Sequence, residues 1–376
     1  MLDAVASTSV LFRRPLEGVA IVRLDNIGDF VLWLGSIEAL LKNFKEYPVT
    51  LIANSKWSEL AEKLPFWRNV IAVDTLRFST DLVYRFSFLH RISKAGFEIA
   101  IQPVYSRNLA GDTVIRSTRA KERIGSVGDC SNIQPWQKRI SDGWYTRLLA
   151  ANSAPMMELE RNAEFVRAIG NSDFRSRLPV LPKVSELSMA LRVGQPYFIV
   201  FPGASWSGKQ WPTKNYGTLI DRIFLQTGWQ AVLCGSQEEQ QLCADIAVST
   251  TCQTQNMAGK TSLNDLVEVI REAEFLVGND TSAVHIASAV GTPSICIVGG
   301  GHFGRFVPYG KESRRTGVPP LPVFHTMDCF WCNWQCTQPY EPGQAVPCIA
   351  KIEVAQVLEG VTKVLGPEFF TARNLH

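Results

Sequence analysis

The strongest constraint on this chain is an alternation of segment types that occurs twice. "GVAIVRL" (residues 18–24) and "PVTLIAN" (48–54) are short apolar runs. Between them "DFVLWLGSIEALLKNF" (29–44) places Val31, Leu34, Ile37, Leu40 and Leu41 at helical spacing. Strands that read as nearly continuous apolar runs are covered on both faces, which is the condition of a parallel sheet flanked by helices. "VIAVD" (70–74) and "FEIAIQPVY" (97–105) continue the series around the helical stretch "DLVYRFSFLHRISKAG". The pattern then breaks at "SRLPVLPKVSELSMALRVGQP" (176–196), which carries three prolines and reads as a linker. It restarts with the strands "YFIVFPG", "WQAVLCG", "EFLVGN" and "PSICIVGG", separated by helical segments. At 376 residues the chain is too long for one ordinary domain. The expected fold is α/β, with two Rossmann-like, doubly wound domains at residues 1–180 and 181–350. A C-terminal helix and tail (351–376) follow, with Ile352, Val357, Leu358, Val361 and Val364 on an apolar face that suits either domain.

Hydrophobic residues make up 46% and charged residues 19%, so two cores can be filled and a disordered class is excluded. No run approaches the ~18 uninterrupted apolar residues of a membrane span. The opening "MLDAVASTSVLFRRPLEG" lacks a basic segment leading into an apolar one, and a cytoplasmic location is expected. The net charge of +3 is uneven. Between Arg77 and Arg147 twelve Lys or Arg face six acids, which leaves about −3 for the remainder. A basic first half suits an anionic substrate or an anionic membrane face, or is simply a solvated surface. No nucleic-acid reader motif is present, so nucleic acid is not an expected partner.

Ligands of doubly wound sheets bind beyond the carboxyl ends of the strands. That rule selects residues 25–29, 202–209, 235–239, 279–282 and 299–304. "GGGHFG" (299–304) satisfies G-x-G-x-x-G, but Pro308 follows where the dinucleotide fingerprint needs a helix, so a ligand-covering loop is expected there. "NDTSAVH" (279–285) joins a strand to a helix. A helix N-terminus offers unpaired N–H groups to a phosphate, while Asp280 or Ser282 as a plain N-cap is the alternative. In "FPGASWSGKQWP" (201–212), Lys209 follows a loop of small residues and offers a point charge to the same phosphates, or else is a surface lysine. "RLDNIGDF" puts Asp29 at the start of a helix, as a cap or as a general base. His285, on a helix otherwise made of Ala, Val and Ile, reads equally as a core histidine.

Four of these segments, in order, resemble glycosyltransferase family 9, the ADP-heptose:lipopolysaccharide heptosyltransferases and their relatives. They are "IVRLDNIGDFVLWLGSIEALL", "PGASWSGKQWPTKNYGTLIDRI", "GKTSLNDLVEVIREAEFLVGNDTSAVHIASAVGTP" and the cysteine-containing region with its following helix. The resemblance implies a GT-B fold, with the acceptor in the first domain, the nucleotide-sugar in the second and a cleft between them. It implies inverting, metal-independent transfer of heptose or a related sugar, from an ADP-linked donor, to a bacterial surface glycan, lipopolysaccharide or protein. Asp29 falls on the catalytic base and Lys209 on the phosphate-contacting lysine. Gly203, Ser205, Lys209, Asp280, Thr281, Ser282 and His285 fall on donor contacts, and Glu238 or Glu239 on the ribose contact. Arg23, Asn26 and Arg107 are the expected acceptor contacts. Ser282 stands where the family's motif has glycine, and "GGGHFGRFVPYG" departs from the corresponding family loop.

Cys329, Cys332, Cys336 and Cys348 follow C-x2-C-x3-C-x11-C spacing, which favours a structural Zn or Fe over free thiols or disulfides. Part of the family carries similar clusters. No cofactor is expected for catalysis, peripheral contact with the inner membrane is compatible with the charge, and the oligomeric state is open. Two readings compete with the transferase: a nucleotide-sugar epimerase of the same two-Rossmann fold, and a catalytically silent nucleotide-binding or assembly protein.

Overall fold

The computed structural model of the protein describes residues 18–310 and 317–366. The opening segment inspected for a leader and the tail beyond residue 366 lie outside the described residues. Two compact units form: residues up to Pro155 with Leu159–Ser176, and Met156–Glu158 with residues from Arg177 onward.

The first unit holds β1 (Val19–Arg23), β2 (Val49–Asn54), β3 (Asn69–Val73), β4 (Ile99–Gln102), β5 (Glu122–Ser126) and β6 (Arg147–Leu149). They form one parallel sheet in the order β3-β2-β1-β4-β5-β6. The second unit holds β7 (Tyr197–Phe201), β8 (Gln230–Leu233), β9 (Thr254–Asn256), β10 (Leu276–Asn279), β11 (Ser294–Ile297) and β12 (Leu321–Val323). Their order, β12-β11-β10-β7-β8-β9, is the same topology repeated. In each sheet the order reverses beside the first strand, so β1/β4 and β7/β10 mark the switch points where a ligand crevice opens.

The central strands are buried along their whole length, which explains their unbroken apolar sequences. Helices Ile27–Leu41, Thr213–Thr227 and Ser282–Val290 follow β1, β7 and β10. The last two end on Gly228 and Gly291 in the left-handed conformation, which glycine adopts without a Cβ penalty. The C-terminal helix Val354–Leu365 belongs to the second unit: Val357 and Val361 enter its core, and Gly360 lies against Ile295, Leu321 and Val323. Among the described residues no helix is long and apolar enough to cross a membrane.

Candidate functional site

In the second unit, β7 and β10 lie side by side and their carboxyl ends are tied together by one side chain. Asn279, the last residue of β10, is 1% exposed. Its Nδ2 donates to the carbonyls of Pro202 (2.6 Å) and Gly203 (3.3 Å), and its Oδ1 accepts from the backbone N–H of Trp211 (3.2 Å). Asn279 therefore fixes both ends of the loop that carries Ser205 and Lys209. The loop also closes on a third strand end. A Cβ at Gly203 would stand 1.7 Å from Oε1 of Glu239, so only glycine lets that carboxylate approach. Glu239 is fixed in turn, its Oε2 accepting from the backbone N–H of Ser236 at 2.7 Å. Glu239, not Glu238, is the acid at this loop; Glu238 is exposed.

Helix Ser282–Val290 starts directly after this clip. Thr281 occupies the N-cap with extended backbone (φ −139°, ψ 178°) and makes no side-chain cap bond, and its buried Oγ1 has no hydrogen-bond partner. A buried, unpartnered hydroxyl beside uncapped N–H groups is what an anion or its hydration shell completes. Burial lowers the Lys209 pKa, and the nearby charge of Asp280 works against that shift. The Lys209 ammonium sits 4.4 Å from the ring centroid of Trp334.

Trp334 lies within the cysteine-containing segment and is a site residue that sequence reasoning missed. Its ring occupies space that only glycine leaves free: a Cβ at Gly301 would be 2.4 Å from it, and one at Gly299 2.7 Å. Phe330 stands likewise 2.3 Å from the Cβ position of Gly300. The triple glycine is thus explained by two aromatic rings packed onto its backbone, and no dinucleotide fingerprint is needed. Trp331, Asn333 and Trp334 all have left-handed backbone (φ 64°, 52° and 62°), a local strain that tertiary packing must hold. His302 joins the same group. Burial lowers its pKa, a hydrogen bond with Asn333 opposes this, and Arg305 and Lys209 lower it further. The place of this loop after β11 was the available signal.

Cys329, Cys332, Cys336 and Cys348 line one small pocket together with Phe330 and Trp334. The Cys348 sulfur accepts from the Gly300 N–H at 3.4 Å. Among the described residues no group of three or more His, Cys, Asp or Glu is arranged to hold a metal ion. The four cysteines of the expected Zn or Fe ligand set are brought to one pocket, where burial and then the other three thiols raise the Cys348 pKa, and the segment packs on the glycine loop.

His285 sits where its apolar neighbours in the sequence place a core histidine. It is buried, its Nδ1 lies 2.9 Å from the Tyr309 hydroxyl, and burial lowers its pKa to about 3. It is a neutral core residue.

In the first unit the turn from β1 to helix Ile27–Leu41 carries Asp29, half-buried in the first helical turn. The turn is held from three directions. Arg23 pairs with Asp25 at 2.9 Å, donates to the Asp29 carbonyl at 3.3 Å and lies over the Trp33 ring. Asn54 Nδ2 donates to the carbonyls of Leu24 and Asp25, and Trp57 Nε1 to that of Asp25. Asp29 is thereby placed on rigid backbone. Two of the expected acceptor contacts are buried. Arg23 and Arg107 are each 1% exposed. Arg107 pairs with Asp112 and Asp142 and lies over Tyr145. A buried guanidinium must be paired to offset its desolvation, and both are paired inside the unit, while the Arg107 Nε is buried without a hydrogen-bond partner. Asn26 is exposed.

Comparison with known proteins bears on this arrangement. Residues 146–328 match the family model described as glycosyltransferase family 9 (heptosyltransferase). A segment of 151 residues is 30% identical to lipopolysaccharide heptosyltransferase 3 of Escherichia coli strain K12, covering 38% of this chain and 43% of that relative. The match thus spans less than half of the relative's length. Among solved structures, E. coli ADP-heptose LPS heptosyltransferase II superposes with a TM-score of 0.68 at 17% identity, over 93% of this chain and 99% of that one. The iron-containing dodecameric glycosyltransferase TibC of enterotoxigenic E. coli H10407 superposes with a TM-score of 0.53 at 14% identity, over 95% and 78%. At such identities the structural likeness establishes the fold, which is of GT-B type.

Proposed function

We propose, from the premise that this chain is a glycosyltransferase family 9-like, heptosyltransferase-like protein, that it moves a heptose or related sugar from an ADP-linked donor to an acceptor hydroxyl. The acceptor would be a bacterial surface glycan, lipopolysaccharide or protein, reached from the cytoplasm or at the inner-membrane face. The observation that carries this reading is the Asn279 clip, which puts Lys209 and the uncapped start of helix Ser282–Val290 at the same sheet edge.

In this scheme the acceptor oxygen attacks the anomeric carbon from the side opposite the diphosphate, which inverts that centre. The bond from that carbon to the phosphate oxygen breaks, and the hydroxyl proton passes to Asp29. Negative charge then accumulates on the departing diphosphate. Lys209 and the N–H groups of the Thr281–Ser282 turn offset it, and one fixed donor of this kind is worth roughly 3–4 kcal/mol in a transition state. That charge compensation lets the protein work without a metal. Glu239, closed onto Gly203, is the acid suited to the donor ribose.

The test is product analysis with ADP-heptose and a lipopolysaccharide-core acceptor. Wild type should release ADP only when acceptor is present, and Asp29→Asn should lower the rate by ~10²–10⁴-fold. Sugar interconversion without acceptor, or an Asp29→Asn enzyme as fast as wild type, would refute the scheme.

A further inference from the structure

Helix Leu82–Ser93 carries apolar residues on two faces. Phe88, Leu89 and Ile92 enter the core of the first unit beside Phe78 and Val73. Three further apolar side chains of this helix point outward and no described residue covers them: Val83 is 79% exposed, Leu82 64% and Phe86 38%. Leu76, on the preceding helix Thr75–Thr80, is 72% exposed. These four large side chains fall within eleven residues. Val83, Phe86, His90 and Lys94 recur at i, i+3, i+7 and i+11, one continuous stripe, and His90 stacks on Phe86. The inner face alone anchors the helix, so the outer apolar stripe contributes nothing to folding and costs solubility.

Its surroundings are basic. Arg77, Arg91 and Lys94 are exposed at the margins; the two aspartates of the hairpin, Asp74 and Asp81, each accept a backbone N–H at the start of a helix and keep their charge, so residues 74–94 carry four basic groups against two acids. Asp81 also pairs with Arg77. The segment 77–147 as a whole has twelve basic residues against six acidic. An apolar stripe flanked by cations fits an interface of opposite charge that is itself apolar below its surface, which is the structure of an anionic bilayer. A protein partner would offer apolar contact without requiring the cationic margin.

We propose that the face formed by Leu76, Leu82, Val83 and Phe86 seats the first unit on an anionic lipid surface, with Arg77, Arg91 and Lys94 against the head groups. This deepens the inner-membrane part of the proposed function by naming the surface that makes the contact, and it is testable apart from the chemistry.

The experiment is flotation of the full chain with vesicles of phosphatidylcholine, with and without phosphatidylglycerol. Wild type should float with the anionic vesicles, stay behind with the neutral ones, and be released by salt. A Val83→Asp/Phe86→Ser variant should bind about tenfold less. Arg91→Glu/Lys94→Glu should weaken binding to anionic vesicles and reduce its salt dependence. All three proteins should give the same stabilisation by ADP, which is read out on the second unit, and Val83→Asp/Phe86→Ser should unfold thermally like wild type because its altered side chains lie outside the core. A wild type that ignores anionic vesicles overturns the membrane assignment. A Val83→Asp/Phe86→Ser variant that floats like wild type overturns the surface. Concentration-dependent self-association that this variant abolishes, without vesicle binding, would assign the face to a second copy of the chain and also overturn it. Failure of ADP to stabilise any of the proteins would count against the transferase reading and leave the flotation result standing.

Discussion

Asn279 is the side chain on which the candidate donor site depends, and its removal has a calculable cost. Asn279→Ala leaves three groups without their partner: the Trp211 N–H and the carbonyls of Pro202 and Gly203. Each such bond contributes about 1 kcal/mol net, and a buried group left unpaired costs about 1–3 kcal/mol. The Ala variant should therefore unfold about 3–5 kcal/mol more easily, unless water enters and satisfies part of the gap. Asn279→Asp sharpens the test. It keeps an acceptor for Trp211 but turns a second carboxylate oxygen toward two carbonyl oxygens, replacing attraction with repulsion. It should be no more stable than the Ala variant despite its closer shape. Urea unfolding followed by tryptophan fluorescence measures this, with the two units expected to give separable transitions and only the second affected. A loss below about 1 kcal/mol in Asn279→Ala, or an Asp variant near wild type, would show that the loop does not depend on this clip.

Other expectations follow from the same geometry. Burial holds the His285 pKa down to about 3 from an ordinary value near 6.5, so the unfolded chain takes up this proton more readily. Its contribution to stability is fully present above pH ~6.5 and is lost as pH falls toward 3; between pH 7 and 5 wild type should lose about 2 kcal/mol more than His285→Gln in urea unfolding. Gly203→Ala pushes a methyl into the Glu239 carboxylate and should weaken ADP binding by about tenfold or more in calorimetry, with little change in the unfolding midpoint. Trp334→Ala removes the ring face under the Lys209 ammonium, worth ~0.5–2 kcal/mol, and should cost roughly two- to thirty-fold in ADP affinity; Trp334→Phe should restore most of it.

The doubled sheet was legible because its central strands announce themselves as apolar runs. β6, β9 and β12 were not, and each is a three-residue edge strand; β12 even contains Pro322, which an edge position tolerates. β5 was hidden by Glu122, Arg123 and Gly125, and the glycine is there to admit the Tyr145 ring. Strand ends named the loops correctly as places, but side-chain direction within them needed three dimensions. Arg23 and Arg107 look like exposed cations in sequence and are buried and paired, because only the fold shows Asp25, Asp112 and Asp142 beside them. Glu238 and Glu239 are indistinguishable in sequence; the glycine gap opposite Glu239 separates them. The Ala, Val and Ile around His285 did carry its core reading. Trp334 was out of reach, since it meets Lys209 and Gly301 from more than a hundred and more than thirty positions away, through a knuckle in which two tryptophans are left-handed.

The central claim is that the second unit holds a diphosphate between Lys209 and the start of helix Ser282–Val290, and calorimetric titration of ADP and AMP against wild type and Lys209→Ala tests it most directly. Wild type should bind ADP at least about tenfold more tightly than AMP, and Lys209→Ala should erase most of that difference while leaving AMP affinity nearly unchanged. Equal affinity of wild type for the two nucleotides, or undiminished ADP binding by Lys209→Ala, would contradict the account.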